Sequence, residues 1–103
     1  MPYLHTEESM VKYLFEWDPD KDAINQQRHG VAFIDAQEAV YDKNRIIMQD
    51  EQHSKSEERL FCIGKTPTGI LTVRFTMRGR NIRIIGAGHW RKWRKFYEKT
   101  RRF

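Results

Sequence analysis

The sequence has little from which a disulfide framework or a membrane anchor could be built. Cys62 is the only cysteine in 103 residues, which excludes an intramolecular disulfide and a cysteine-rich zinc site. It lies in an apolar run with strand character, so we predict that it is a core residue. No apolar run approaches the ~20 residues that span a bilayer, and the N-terminus lacks a basic-then-apolar signal pattern. These absences predict a cytoplasmic protein with no membrane partner.

The spacing of ligands that marks a metal centre is also absent. The four histidines show no close spacing with carboxylates. A chain of 103 residues suits one domain with one core and needs no metal to stay folded. We therefore predict no metal and no cofactor. Residues 1–12 have little pattern and are predicted to be a loose N-terminal extension, with the domain in residues 13–103.

Negative charge is scarce in the second half of the chain. Residues 1–52 contain five Lys/Arg against eleven Asp/Glu, a balance of −6, whereas residues 53–103 contain fourteen against three, a balance of +11. The net charge of +5 therefore hides a strongly basic half. Such a half predicts a polyanion partner and binding that weakens steeply with salt. RNA or DNA fits better than a membrane, because no strongly apolar amphipathic face accompanies the charge.

The most informative stretch is Leu71–Gly88, in which two strand-like runs flank a turn. In the first run, apolar residues alternate with Thr72, Arg74, Thr76 and Arg78. This period of two is typical of a half-buried strand. Gly79 to Asn81 tolerate positive φ, so the second run, at 82–85, is predicted to fold back antiparallel and bring Arg83 close to Arg80 and the other arginines. Like charges crowded on one face are unfavourable unless an anion is expected there.

The remaining patterns predict one α+β domain. The predicted elements are a strand at 13–17, a helical hairpin at 19–28 and about 33–41, four antiparallel strands at 45–49, 59–63, 71–78 and 82–85, and a C-terminal helix at about 90–101. Asp18-Pro19 begins the first helix, and Gly30 ends it. Its predicted core face is Ala23, Ile24 and Gln27, whereas Trp90, Trp93, Phe96 and Tyr97 form a predicted core stripe on the last helix.

Several short motifs occur in combination between Phe15 and Glu98. They are FEWDP at 15–19, RHGV at 28–31, Asp50 with His53-Ser54, EER at 57–59 and TMRG at 76–79. On these motifs the chain resembles the BrnT family of bacterial toxins, small ribonucleases of the RelE-like superfamily. The resemblance implies a RelE-like fold and a cytosolic toxin that cuts RNA. It also implies a BrnA-like antitoxin partner with a ribbon-helix-helix domain, so that operator DNA is contacted only through the complex of the two proteins.

One departure from the family pattern lies after the last strand. The family commonly has Ser-Ala-Arg there, whereas this chain has Gly86-Ala87-Gly88-His89. Two outcomes remain open. The glycine N–H groups near a helix N-terminus, with His89 or Arg91, replace the missing arginine. Alternatively, the chain keeps the fold and has lost efficient cleavage.

Metal-independent RNA cleavage needs a proton acceptor for the 2′-hydroxyl, cations for the charge on phosphorus and an acid for the leaving oxygen. Guanidinium groups match phosphate oxygens in pairs. The predicted catalytic residues are His53, Glu58, Arg59, Arg78, Arg83 and His89. The predicted RNA-binding residues are Lys65, Arg74, Thr76, Arg80, Arg91 and Lys92. His53, Glu58 and His89 remain alternative bases, although a histidine in a polar loop is more often a surface residue.

Three functions agree with this composition. The first is an RNA-cleaving toxin, the second a catalytically inactive nucleic-acid-binding domain, and the third an interaction protein whose basic face docks an acidic partner. The second requires RNA binding without cleavage. The third requires antitoxin binding with negligible affinity for RNA at moderate salt.

Overall fold

The computed structural model describes residues 13–100. The predicted extension at 1–12 and the predicted end of the last helix at Arg101 lie outside the described residues. The elements are β1 (Leu14–Glu16), α1 (Pro19–His29), α2 (Phe33–Val40), β2 (Ile46–Gln49), a short 3-10 helix (Glu51–His53), β3 (Leu60–Thr66), β4 (Gly69–Arg78), β5 (Asn81–Gly88) and α3 (Arg91–Thr100). The predicted caps are confirmed: Asp18 accepts the N–H of Asp20, and Gly30 ends α1 at φ 69°.

The strands form one mixed sheet in the order β1-β5-β4-β3-β2. The prediction of four antiparallel strands was wrong in one respect, because β1 joins the sheet as a fifth strand parallel to β5. Phe15 pairs with Ile82 and Glu16 with Arg83. A free β5 edge would expose a row of unpaired backbone groups, and β1 covers part of that edge. The sequence showed β1 as a strand but did not show where it would pair.

The core lies between one face of the sheet and the two helices α1 and α2. Its central side chains include Phe33 of α2 and Val73 and Ile84 of the sheet, all fully buried or nearly so. Cys62 is also fully buried there, as predicted, and burial raises the pKa of its thiol to about 12. This thiol is therefore a packing group. Two apolar side chains lie at the periphery of this core, since Tyr41 is 43% exposed and Met77 is 45% exposed.

β5 continues three residues beyond its predicted end at Ile85, and an irregularity makes this possible. Arg74 pairs with Gly86 and Phe75 pairs with Ile84, so Ile85 has no partner on β4. The extra residue is a β-bulge, which reverses the alternation of side chains beyond it. Ala87 therefore faces the core with Ile84, although the two residues are an odd number apart. The same bulge directs Gly86 and Gly88 to the opposite face.

α1 contacts the sheet through polar side chains, and its predicted core face was wrong. Ala23, Ile24 and Gln27 are exposed, whereas Asn25 is 7% exposed. The Asn25 amide donates to the carbonyls of Val31 and Ala87, each at 2.9 Å, and its oxygen accepts the Ala87 N–H at 3.2 Å. The Asn25 side chain thus provides the hydrogen-bond partner that the β5 backbone lacks beyond the end of β1. Hydrogen bonding, which hydrophobic periodicity does not detect, decides the orientation of α1.

α3 packs on the second face of the sheet, against β3 and β4. The Tyr97 hydroxyl donates to the Asp42 carboxylate, which also accepts the N–H groups of Asn44 and Lys65. The predicted core stripe of α3 is only partly buried. Tyr97 is 6% exposed and Trp90 and Trp93 are intermediate, but Phe96 is 38% exposed. A single short helix covers only part of a sheet face, so the edge of its apolar stripe stays in contact with solvent.

The role of Asn25 predicts a large effect from a small truncation. We expect Asn25→Ala to lower the free energy of unfolding by at least ~2 kcal/mol, because two backbone groups of Ala87 and the Val31 carbonyl lose their partner while buried. The exposed neighbour Gln27→Ala is the matched control and should change stability by less than ~0.5 kcal/mol. Urea unfolding of both variants measures the difference. Equal stability of the two variants would contradict the assigned role.

Candidate functional site

The second face of the sheet is divided between a half covered by α3 and an open half. The open half carries the guanidinium groups of Arg59, Arg74, Arg78 and Arg83, here called the arginine surface. Arg74 and Arg78 come from β4 and Arg83 from β5, while Arg59 immediately precedes β3. The sequence prediction that Arg74, Arg78 and Arg83 share one face is confirmed by the strand register, which places Arg59 on that face as well. Arg80 lies in the β4–β5 turn, at the exposed tip of that hairpin.

Cross-strand pairs arrange this face in rows, because paired residues point to the same side of a sheet. In order from the covered to the open half, the rows are Ile46, Ile63, Thr72 and Gly88; Met48, Phe61, Arg74 and Gly86; Arg59, Thr76, Arg83 and Glu16; and Arg78, Asn81 and Leu14. Arg59 continues the β3–β4 register by one residue from the Leu60–Phe75 pair. Consecutive rows are ~7 Å apart, since each step covers two residues. The arginine surface thus occupies three adjacent rows.

Arg83 is held by an acidic residue of the parallel strand. Its Nη1 donates to Glu16 Oε2 at 2.7 Å, and Asn81 donates to the other carboxylate oxygen at 2.9 Å. Asn81 and Arg83 together hold the pKa of the Glu16 carboxyl below its ordinary value. This contact is therefore fully formed above the ordinary glutamate pKa and is lost only as the pH falls through the lowered value. At neutral pH the guanidinium has a fixed position on an otherwise exposed face.

A second carboxylate lies between two other arginines and was missed by the sequence analysis. Glu57 Oε2 is 3.6 Å from Arg59 Nη2, and Glu57 Oε1 is 3.6 Å from Arg78 Nε. Glu58, the predicted candidate, is exposed and accepts a hydrogen bond from the Thr76 hydroxyl through its backbone carbonyl, at 2.6 Å. The EER motif could have indicated either glutamate. The two ion pairs show that the side chain of Glu57 is the one turned towards the arginines.

His53 lies next to the same region, in the loop between β2 and β3. Its Nδ1 is 2.9 Å from Asp50 Oδ2, and the Asp50 side chain is only 5% exposed while that of His53 is 49% exposed. The Asp50 N–H donates to the Arg59 carbonyl at 2.8 Å, and the Arg59 N–H donates to Ser54 Oγ at 2.9 Å. A buried carboxylate thus orients an exposed imidazole and the same loop fixes the backbone of Arg59. This arrangement leaves Nε2 of His53 available to a ligand.

The structure does not bring every predicted residue to this place. His89 follows Gly88, which pairs with Thr72, whereas Arg83 pairs with Thr76. Four residues of β4 separate the two pairs, which corresponds to ~13 Å along the strand. Lys65, Arg91 and Lys92 are exposed at the covered half, and Thr76 is 2% exposed beneath the Glu58 carbonyl. Within residues 13–100, no three His, Cys, Asp or Glu side chains lie close enough to hold a metal ion.

The departure at Gly86-Ala87-Gly88 has a visible counterpart in the packing. A Cβ at Gly86 would meet neighbours only at 3.8 and 4.0 Å, which leaves room for a serine. A Cβ at Gly88 would lie 3.0–3.1 Å from the indole of Trp90, whose ring also contacts that of His29 at a centroid distance of 5.1 Å. Trp90 therefore covers the position at which the family commonly has an arginine. The indole of Trp90 has room at this place because Gly88 has no Cβ.

This packing predicts that restoring the family arginine is harmful. We expect Gly88→Arg to lower the free energy of unfolding by ~1–3 kcal/mol, because Trp90 must leave its place on β5. The matched variant Gly86→Ser should be close to neutral, since its Cβ meets only ordinary contacts. Thermal unfolding followed by far-UV circular dichroism compares them. A Gly88→Arg protein as stable as the parent would show that Trp90 moves without cost.

Comparison with known proteins identifies the family of this chain. The sequence model for the ribonuclease toxin, BrnT, of type II toxin-antitoxin systems matches residues 17–93. No curated protein matches the chain. None of the helices in residues 13–100 is long and apolar enough to cross a membrane. The family match begins immediately after β1 and ends in the first turn of α3. It therefore includes the whole arginine surface with Glu57 and His53. The chain belongs to the BrnT family of ribonuclease toxins.

Proposed function

We propose that the arginine surface, with His53 and Glu57, is the site at which this toxin cleaves RNA without a metal ion. One observation carries the proposal: Arg59 and Arg83 share a row of the open face, and the loop that bears His53 is bonded to the backbone of Arg59. Strands lie ~4.8 Å apart, so two guanidiniums two strands apart can contact one phosphate from opposite sides. A carboxylate lies beside each of them before RNA arrives, at 2.7 Å from Arg83 and at 3.6 Å from Arg59.

In the proposed reaction, His53 Nε2 removes the proton from a ribose 2′-hydroxyl. The 2′-oxygen then forms a bond to the adjacent phosphorus, and the bond from phosphorus to the 5′-oxygen of the next nucleotide breaks. The products are a 2′,3′-cyclic phosphate and a free 5′-hydroxyl. Asp50 keeps the imidazole in one tautomer by accepting the Nδ1 proton. The leaving 5′-oxygen takes its proton from solvent, which reaches this open face, and Glu58, exposed beside Arg59, is the alternative base.

The arginines act on the charge that develops at phosphorus. Arg59, Arg78 and Arg83 carry guanidinium donors for phosphate oxygens, and Arg59 Nε is buried without a hydrogen-bond partner among residues 13–100. Glu57 lies where a phosphate would sit between Arg59 and Arg78, at 3.6 Å from each. These long contacts are weak, and they keep two like charges together until a phosphate replaces the carboxylate. Arg74 lies one row further and extends the path for the RNA backbone.

The remaining predicted residues take supporting roles in this proposal. Thr76 is buried and holds the loop of Glu57 and Glu58 through its hydroxyl. Arg80, Lys65, Arg91 and Lys92 are exposed cations that contact flanking phosphates, so their loss should reduce the salt dependence of binding. His89 lies beyond the row of Thr72 and is a candidate contact to a nucleotide further along the chain.

We also propose the partners that the family resemblance implies. These are a BrnA-like antitoxin with a ribbon-helix-helix domain, operator DNA bound only through the toxin–antitoxin complex, and action in the cytoplasm on cellular RNA. A second candidate function is a catalytically weak domain that binds RNA or antitoxin and acts in operon autoregulation. The observation that favours it is Trp90 over Gly88, at the place where the family commonly has an arginine.

The first functional prediction concerns Arg83. We expect Arg83→Ala to reduce RNA cleavage by ~10²-fold or more and to abolish most growth arrest, because one donor to the transition-state charge is lost. The side chain points away from the core, so the fold should persist. Arg28→Ala, on the exposed side of α1, removes the same charge elsewhere and is the matched control. Growth arrest at the parental level by an equally abundant Arg83→Ala protein would contradict the assignment.

The second functional prediction identifies the base by comparing two histidines. We expect His53→Gln to lower single-turnover cleavage of a defined RNA by ~10²-fold or more, because glutamine keeps an N–H for Asp50 but accepts no proton. The same assay on His89→Gln should give a loss of only a few-fold. Both side chains are exposed, so melting temperatures should stay close to the parent. The reverse pattern would move the base to His89 and with it the site to the N-terminus of α3.

A further inference from the structure

An aromatic cluster lies at the boundary between the covered half and the arginine surface. Trp93 of α3 packs against Phe61 of β3 at a ring-centroid distance of 5.4 Å and against Phe96 at 5.9 Å. Phe61 is paired with Arg74 across β3 and β4, so this cluster and the arginine surface share a row. Phe61 and Trp93 are each partly exposed, and Phe96 is 38% exposed. An aromatic surface open to solvent thus borders the cations directly.

The packing of Trp93 is not that of a core residue. Tyr97 is 6% exposed and is bonded to Asp42, whereas Trp93 is partly exposed and its ring contacts those of Phe61 and Phe96. The Lys92 ammonium lies over the ring, 4.8 Å from its centroid. Such a cation at an exposed site is held weakly and can leave the ring. A flat π-surface would then be free, with a cation beside it.

We propose that Trp93 is a stacking site for an unpaired RNA base whose neighbouring phosphate is bound by Arg74. The inference rests on the proposed function, because it places one nucleotide next to the site of cleavage. Aromatic side chains that alternate with cations along a groove are the usual means of holding single-stranded RNA. Here a base on Trp93 displaces Lys92 from the ring, and Lys92 turns to a phosphate. Trp93 thereby fixes the position of the strand along the surface, and so which phosphate reaches Arg59 and Arg83.

Charge distinguishes this occupant from a neutral apolar peptide. Of the ten residues of α3, four are Lys or Arg before the last turn, at positions 91, 92, 94 and 95, and only Glu98 is acidic. A neutral apolar peptide would bury the cluster but leave these cations unused. Single-stranded RNA offers both a base for the ring and phosphates for the cations. Stacking on tryptophan tolerates any base, so the site selects an unpaired strand and not a sequence.

The test compares two hexanucleotides that differ only in their bases. Both carry 2′-O-methyl groups, which prevent cleavage. One is hexaadenylate, and the other has abasic riboses at every position. We expect the parent protein to bind hexaadenylate about tenfold more tightly than the abasic strand. In Trp93→Leu this ratio should fall to about one while affinity for the abasic strand is unchanged, and Trp93→Phe should restore most of the ratio.

Controls separate the inference from the proposed function. Arg74→Ala should lower the affinity for both hexanucleotides equally and reduce the salt dependence of binding. Trp90→Leu removes the indole ring that lies beside Gly88 and His29, and it should leave the ratio of the two affinities unchanged. Melting temperatures confirm that each variant is folded.

Three results would overturn the inference. Equal binding of both strands by the parent would reject base stacking but leave phosphate recognition intact, whereas binding of neither strand would reject the arginine surface itself. An unchanged ratio in folded Trp93→Leu would reject Trp93 as the platform, and weaker binding of that variant to the antitoxin would then assign the aromatic cluster to the protein partner.

Discussion

The arrangement of this protein depends on how the open edge of β5 is closed. β1 pairs with only the first three residues of β5, and the Asn25 amide provides the partner for Ala87 near the other end. The same amide holds the carbonyl of Val31, in the connection between α1 and α2. One buried side chain therefore fixes the position of α1 relative to the sheet and the start of α2. Since unpaired buried backbone groups are costly, few other positions of α1 are compatible with this sheet.

Closure of that edge also sets the charge on the opposite face. The parallel register of β1 and β5 places Glu16 beside Arg83, and this ion pair is the shortest on the arginine surface, at 2.7 Å. Glu57, in the β2–β3 loop, likewise places a carboxylate beside Arg59 and Arg78. Two carboxylates thus offset part of the repulsion among the guanidiniums without covering the face. Exposed pairs of this kind add little stability, so their importance is in orienting donors towards a place where an anion fits.

Sequence patterns predicted the parts of the structure that depend on local chemistry. The alternation along β4 placed Arg74 and Arg78 on one face, and the Asp18-Pro19 and Gly30 signals located both ends of α1. Patterns failed where a partner far along the chain decides the outcome. Ile24 satisfies the periodicity of a core residue, yet hydrogen bonds from Asn25 to β5 turn α1 so that Ile24 is 48% exposed. The pairing of β1 and the bulge at Ile85 depend on the assembled sheet and have no local signal.

The candidate site shows the same division between local and long-range determinants. Each arginine could be named from its place in a strand, but the distance between His89 and Arg83 follows from register, which the bulge alters. The choice between Glu57 and Glu58 depends on the conformation of the loop before β3, in which the Glu58 carbonyl accepts a hydrogen bond from Thr76 and the Glu57 side chain reaches Arg59 and Arg78. α3 adds a final constraint, because a ten-residue helix anchored at Asp42 covers β3 and β4 only as far as Phe61. Aromatic side chains therefore stay exposed in the row of Arg74, next to the other cations, and a boundary of that composition suits a single strand of RNA.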